Sequence, residues 1–317
     1  MRVLVQQFFA IARLTAIEAI RQPVVLLVAI ACVALTALLP LLVTHTLGEG
    51  ERLARDSGLA LHFVSGLVLG CLAASASIAR EIRRGTAASV LSKPVGRAVF
   101  LLSKFAGIAV VMTGFSIAAA IATLMAARVA APRFGWDWSA GTPLLLAPVL
   151  ACALAGLLNF LAGRPFASNA SGLLLLMLVL ALAVGAVIGP QPLARAYDYR
   201  ILQASALIAI AILVLAAAAV SLSVRLDTIP VLAICSVLFF AGLVSDYLFG
   251  RHAERSALAL LAHRILPNWQ HFWMADALTD GRIPWSYVGD AAAYGGLYLA
   301  GILCLGILVF GRVEVKS

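Results

Sequence analysis

The sequence predicts an all-α polytopic membrane protein of about eight transmembrane helices. Of its 317 residues 63% are hydrophobic and only 12% charged, and the mean hydropathy is +1.05, well beyond what a water-soluble globular chain carries. Uncharged apolar runs of spanning length also recur along the chain. A helix satisfies its own backbone hydrogen bonds and needs about 20 apolar residues to cover a hydrocarbon core of about 30 Å, so such runs are the signal to count.

Eight runs qualify, at approximately residues 24–43, 59–79, 105–127, 142–162, 168–189, 201–223, 228–245 and 291–311. The seventh is the shortest, because Asp246 closes it, while Tyr247 and Phe249 suggest continuation into the interface. Ahead of the first run, residues 1–22 are expected to form an interfacial helix, with Val5, Phe8, Phe9, Ala12, Ala16 and Ala19 on one arc and Arg2, Gln6 and Arg13 beside it. The first run begins only after Arg21 and leads into Gly48-Glu49-Gly50-Glu51-Arg52 rather than a small-residue cleavage site, so it is expected to stay in the protein. Residues 23–317 then form the transmembrane domain. The turns at Gly163-Arg164-Pro165 and Arg225-Leu226-Asp227 are short enough that each must join an antiparallel pair. Residues 246–290 form the longest polar segment, in which Trp269, Phe272, Trp273, Trp285 and Tyr287 are expected to act as an interfacial aromatic belt.

Charge orients the chain. With the N-terminus in the cytoplasm, 13 Lys and Arg but only Glu18, Glu81, Asp227 and Glu314 lie inside; ten cations and ten acids lie outside. The whole net charge of +9 then faces the anionic cytoplasmic leaflet. Both termini are expected in the cytoplasm. A membrane-topology bias explains the basic composition, and no nucleic-acid partner is needed.

The basic loop 80–104 has internal punctuation. Gly85-Thr86 breaks the incoming helix, Thr86 can cap a new one, and Pro94 and Gly96 end it. A short helix held at both ends by spans can transmit a partner's movement. Charge alone is better served if Arg80, Arg83, Arg84 and Arg97 hold the loop to lipid headgroups; it is the Gly-Thr and Pro punctuation that favours a coupling element. Gly66 and Gly70, continued by Ala73, Ala74 and Ser77, form a small-residue packing face. His62, Asn159, Asp246 and Asp290 all fall near expected span ends, where hydration makes them cheap.

Glu81, Gly85, Thr86, Leu91, Pro94, Arg97 and Lys104 follow the pattern of an acidic residue, Gly-Thr, Leu-x-x-Pro, Arg and Lys. With Glu18-x-x-Arg21-x-Pro23, Leu266-Pro267-Asn268, Phe272 and Phe310-Gly-Arg312-Val-Glu314, the chain resembles the permease subunits of ATP-binding-cassette transporters of the type-2 exporter superfamily. The resemblance implies a coupling helix over residues 83–95, including Arg83, Arg84 and Lys93, seated in a separate ATPase subunit. Residues 2–21 would be a connecting helix, and Arg225 and Asp227 a second cytoplasmic contact. Two ATPase copies would bind ATP and Mg, and the permease would pair with itself or a similar chain in the cell inner membrane. The family plan has six spans, so residues 142–189 are expected to be an added hairpin.

No Gly-x4-Gly-Lys-Ser/Thr phosphate loop, His-Glu-x-x-His or Gly-x-Ser-x-Gly is present. The chain is therefore expected to hold no cofactor, catalytic residue or metal of its own. The five cysteines lie in spans and supply neither a disulfide framework nor metal-ligand spacing. Two other readings stand beside the exporter: an ATPase-driven subunit that transmits force to a periplasmic protein docked on residues 250–287, and an intramembrane enzyme or secondary carrier.

Overall fold

The computed structural model describes residues 2–43, 48–83, 96–131, 137–188, 197–252, 256–281 and 283–312. Every regular element among them is helical: α1 Arg2–Ile20, α2 Pro23–Leu42, α3 Gly50–Arg83, α4 Arg97–Ala130, α5 Gly141–Ala162, α6 Phe166–Ile188 and α7 Arg200–Leu222. These are followed by α8 Thr228–Leu243, α9 Ser245–Leu248, α10 Ala257–Ile265, α11 Ala277–Asp280 and α12 Trp285–Gly311, with 3-10 turns at Gly250–His252 and Trp269–His271.

Eight of these helices are long and apolar enough to cross a membrane, as a multi-pass membrane protein requires. The number matches the sequence reading, but the set differs. Helix α1 qualifies, whereas α8 has 16 residues and falls short alone. After a kink at Val244, α9 continues α8, so that Thr228–Leu248 together reach about 31 Å. Only Arg21 and Gln22 separate α1 from α2, yet α1 turns away from α2 and packs on α4. A Cβ at Gly107 of α4 would overlap the Ala12 carbonyl oxygen and crowd Thr15, so that glycine is what admits α1.

Long-range contacts sort the helix ends onto two faces. On one, Arg97 at the start of α4 meets the end of α12, Ser75 near the end of α3 meets Ser223 after α7 at 3.3 Å, and Arg21 and Pro23 line a cavity with Pro165 and Phe166. On the other, Arg128 near the end of α4 reaches Gly185 near the end of α6, and Arg200 at the start of α7 reaches Gly281 just before α12. From α2 to α12 the long helices therefore alternate in direction. Arg21, Arg97, Arg164, Arg225 and Arg312 gather on the first, basic face.

Helices α3, α4 and α7 are the core. Alanine runs such as Ala118–Ala120 and Ala216–Ala219 let their backbones approach closely. Helices α5 and α6 pack on one another and leave Phe160 and Val187 turned outward. Gly163 with φ of 61° at the start of the turn and Pro165 just ahead of α6 close that hairpin.

The segment between α9 and α12 does not lie flat at the membrane surface. Tyr298 donates from its hydroxyl to the Arg264 carbonyl at 3.0 Å, Tyr294 accepts from the Asn268 amide at 3.0 Å, and the Trp269 indole donates to the Leu238 carbonyl at 3.1 Å. Tyr298 lies 13 residues, about 20 Å, along α12 from Trp285. Residues 264–272 thus re-enter the bundle from the face opposite the basic one. Trp269 and Phe272 are core residues, fully buried against Phe63 and Tyr294, and not members of an interfacial belt. Their indole and ring bury more apolar surface there than an interface could offer.

Candidate functional site

Most of the expected coupling loop, with Arg84, Gly85, Thr86, Leu91, Lys93 and Pro94, lies outside the described residues, as do the side chains of Glu81 and Arg83 in the last turn of α3. What the structure defines is the frame from which that loop hangs. Helices α3 and α4 are each 34 residues long, about 51 Å, against a hydrocarbon core of about 30 Å.

Two cations brace that frame. Arg97 donates through one guanidinium nitrogen to the carbonyl oxygens of Phe310 at 3.2 Å and Gly311 at 2.6 Å, with its guanidinium 5.9 Å from the centre of the Phe310 ring. Those carbonyls end α12, where the Arg312 amide also turns back onto Phe310 and Val309. Lys104, one helical turn and more further in, is fully buried. Its ammonium donates to Ser77 Oγ at 3.2 Å, stands 3.8 Å from Glu18 Oε2, and lies 5.7 Å from the centre of the Phe100 ring. Lys104 therefore joins α1, α3 and α4 beside the loop.

The other expected contacts are placed as follows. Arg225 stands exposed in the turn between α7 and α8, and Asp227 takes the N-cap position of α8 with extended backbone. Gly66 and Gly70 pack inside the chain: a Cβ at Gly66 would overlap Ile212, while one at Gly70 would meet Ala216 and Met112 in ordinary contact. His62 departs from expectation. Helix α3 starts at Gly50, so His62 lies about 18 Å along it, wholly buried with neither ring nitrogen partnered among the described residues.

Sequence spacing missed two features. On the face opposite the basic one, buried Arg128 donates to Asp137 Oδ2 at 3.0 Å, Ser139 Oγ at 2.9 Å and the Gly185 carbonyl at 2.8 Å, and stacks 4.6 Å from the centre of the Tyr197 ring. This network clamps α4 to α6. Burial pushes the Tyr197 phenol up, against the pull of the Arg128 cation. The second is an apolar groove of about 800 Å³ between α7, α8 and α12. Ser221, Leu238, Leu297, Gly301 and Leu305 are among its walls, Arg225 stands at its basic-face mouth, and Arg264 to Trp269 close its deep end. Helical alternation marks each wall as apolar, but which walls face one another is set by non-local packing. His263 lies 3.8 Å from Asp246, and no three His, Cys, Asp or Glu side chains gather among the described residues.

No protein-family model, curated protein or solved structure matches the chain.

Proposed function

We propose that the chain is the membrane-spanning permease subunit of an ATP-binding-cassette exporter, driven by a separate ATPase. The observation that carries this reading is the connection between two helices far longer than a hydrocarbon core, on the face where acidic residues are few and the net charge is positive. The residues at its edges resemble the type-2 exporter pattern, and Arg97 and Lys104 link it to α12 and α1. A push on such a loop would reach three helices at once. Positive charge on that face supports a cytoplasmic loop and C-terminus, in the inner membrane of the cell.

In this scheme two permease chains, alike or similar, pair with two ATPases, which bind ATP and Mg. Nucleotide-driven closure biases the membrane dimer between two states, and substrate moves outward from the cytoplasm or inner leaflet. Helices α5 and α6 would be an addition to a six-helix plan. The burial of Trp269 and Phe272 weighs against residues 250–287 serving as a docking surface for a periplasmic protein.

The test is co-purification from native membranes followed by ATPase assay. Wild-type chain is expected to retain an ATPase and stimulate it, and Arg83→Glu with Arg84→Glu is expected to abolish stimulation while insertion persists. Recovery of no ATPase, or unaltered stimulation in the double variant, sinks the reading.

A further inference from the structure

The groove between α7, α8 and α12 is one leaflet deep. Its wall on α12 runs from Leu297 to Val309, 12 residues or about 18 Å, a little over half of a hydrocarbon core of about 30 Å. Leu297 and Leu305 along it and Arg225 at its basic-face end are exposed, and the re-entrant residues 264–269 bound it near the middle of the bundle. A partner's transmembrane helix would have to run the full thickness and would meet that stop. A single-leaflet acyl chain would not. The volume of about 800 Å³ lies in the range of about 300–1,000 Å³ that holds small ligands. An unfilled space with these walls forfeits dispersion contacts on every lining side chain.

Charge selects among lipids. Arg225 and Arg264 both line the groove, and no acidic residue among the described residues does. Neither guanidinium has a hydrogen-bond or ion-pair partner among the described residues. An anion carried to Arg264 would be desolvated near mid-bilayer, whereas one at Arg225 stays at the headgroup level of the basic-face leaflet. A guanidinium binds phosphate through paired N–H donors, which a zwitterionic headgroup partly cancels with its own cation.

We propose that this groove is a binding site for one anionic phospholipid from the basic-face leaflet, its acyl chains between α7, α8 and α12 and its phosphate on Arg225. The site does not depend on the exporter reading and holds with or without an ATPase.

The experiment uses the full chain in bilayer discs of phosphatidylcholine with phosphatidylglycerol, released into native mass spectrometry. One phosphatidylglycerol per chain is expected to be retained in preference to phosphatidylcholine. Arg225→Gln, in an exposed turn, is expected to cut that preference roughly tenfold, as loss of one charge-assisted contact implies. Gly301 has open space where a Cβ would stand, so Gly301→Trp is expected to fill the groove and end retention at unchanged thermal stability. Gly301→Leu is a smaller filler should the indole disturb folding, and is expected to reduce retention. Arg264→Gln is expected to leave the preference intact. Full retention in both fillers, an unaltered preference in Arg225→Gln, or a preference that follows Arg264 instead overturns the proposal. So does a disulfide between two chains through Gly301→Cys, which would assign the groove to a second copy.

Discussion

Arg97 and Gly311 are 214 residues apart, yet the guanidinium of the first donates to the carbonyl oxygen of the second at 2.6 Å. A helix C-terminus presents carbonyls without partners and a partial negative charge, so a cation there is favourable on both counts. The consequence is mechanical. Arg97, at the start of α4, is tied to the last turn of α12, so on the exporter reading a push on the loop would be shared between α4 and α12.

Arg97→Gln should uncouple that movement at little cost in stability. The pair is solvent-exposed, so removal is expected to cost on the order of 1 kcal/mol or less in thermal unfolding. If the proposed exporter function holds, ATPase stimulation by the reconstituted chain should fall several-fold, and Arg97→Lys, with a single ammonium in place of the fork, should recover only part of it. Full stimulation in Arg97→Gln would remove Arg97 from the coupling route.

Lys104 and Glu18 should respond unequally to substitution. Lys104 is buried and Glu18 is 42% exposed, so Glu18→Gln is expected to cost under about 1 kcal/mol. Lys104→Glu places an unpaired carboxylate among α1, α3 and α4, at about 3–5 kcal/mol. The exchanged pair Glu18→Lys with Lys104→Glu should regain part of that loss in a thermal-unfolding cycle. Strict additivity would show that the two side chains do not interact.

On the opposite face, breaking Arg128 from Asp137 strands one buried charge. Arg128→Ala or Asp137→Ala alone is expected to destabilise by about 3–5 kcal/mol, with the double variant well short of the sum. The readout is the thermal midpoint in detergent, together with proteolysis near residues 137–139 as α4 and α6 separate.

The paired glycines of α3 give a sharper contrast. Gly66→Ala must displace Ile212, and overpacking of that kind costs about 1–3 kcal/mol. Gly70→Ala meets Ala216 at 3.6 Å and Met112 at 3.7 Å, ordinary contacts, and should be neutral or slightly stabilising. Thermal midpoints of the two variants check this, and equal effects would count against the α3–α7 packing.

The spans of α2 to α7 and α12 were legible because each needs only its own apolar length and its own backbone bonds to be stable in lipid. The short turn after α7 and the hairpin of α5 and α6 were legible for the same local reason. Helix α1 was legible as a helix over residues 2–21, but its seat was not, since its own sequence carries no local mark of the glycine, Gly107, that receives it on α4.

What only the tertiary structure decided is everything that depends on two distant stretches meeting. Trp269 was expected at the interface by composition, and it is buried because Leu238 offers its indole a carbonyl and Phe63 a ring. Arg128 found Asp137 and Gly185, and Arg225 found a groove built from α7, α8 and α12. Residue pattern determined that this chain is a multi-pass membrane protein, because lipid acts on each helix separately. Packing decided where its charges and its one-leaflet groove lie, because a buried polar group is placed by its partner and not by its neighbours in sequence.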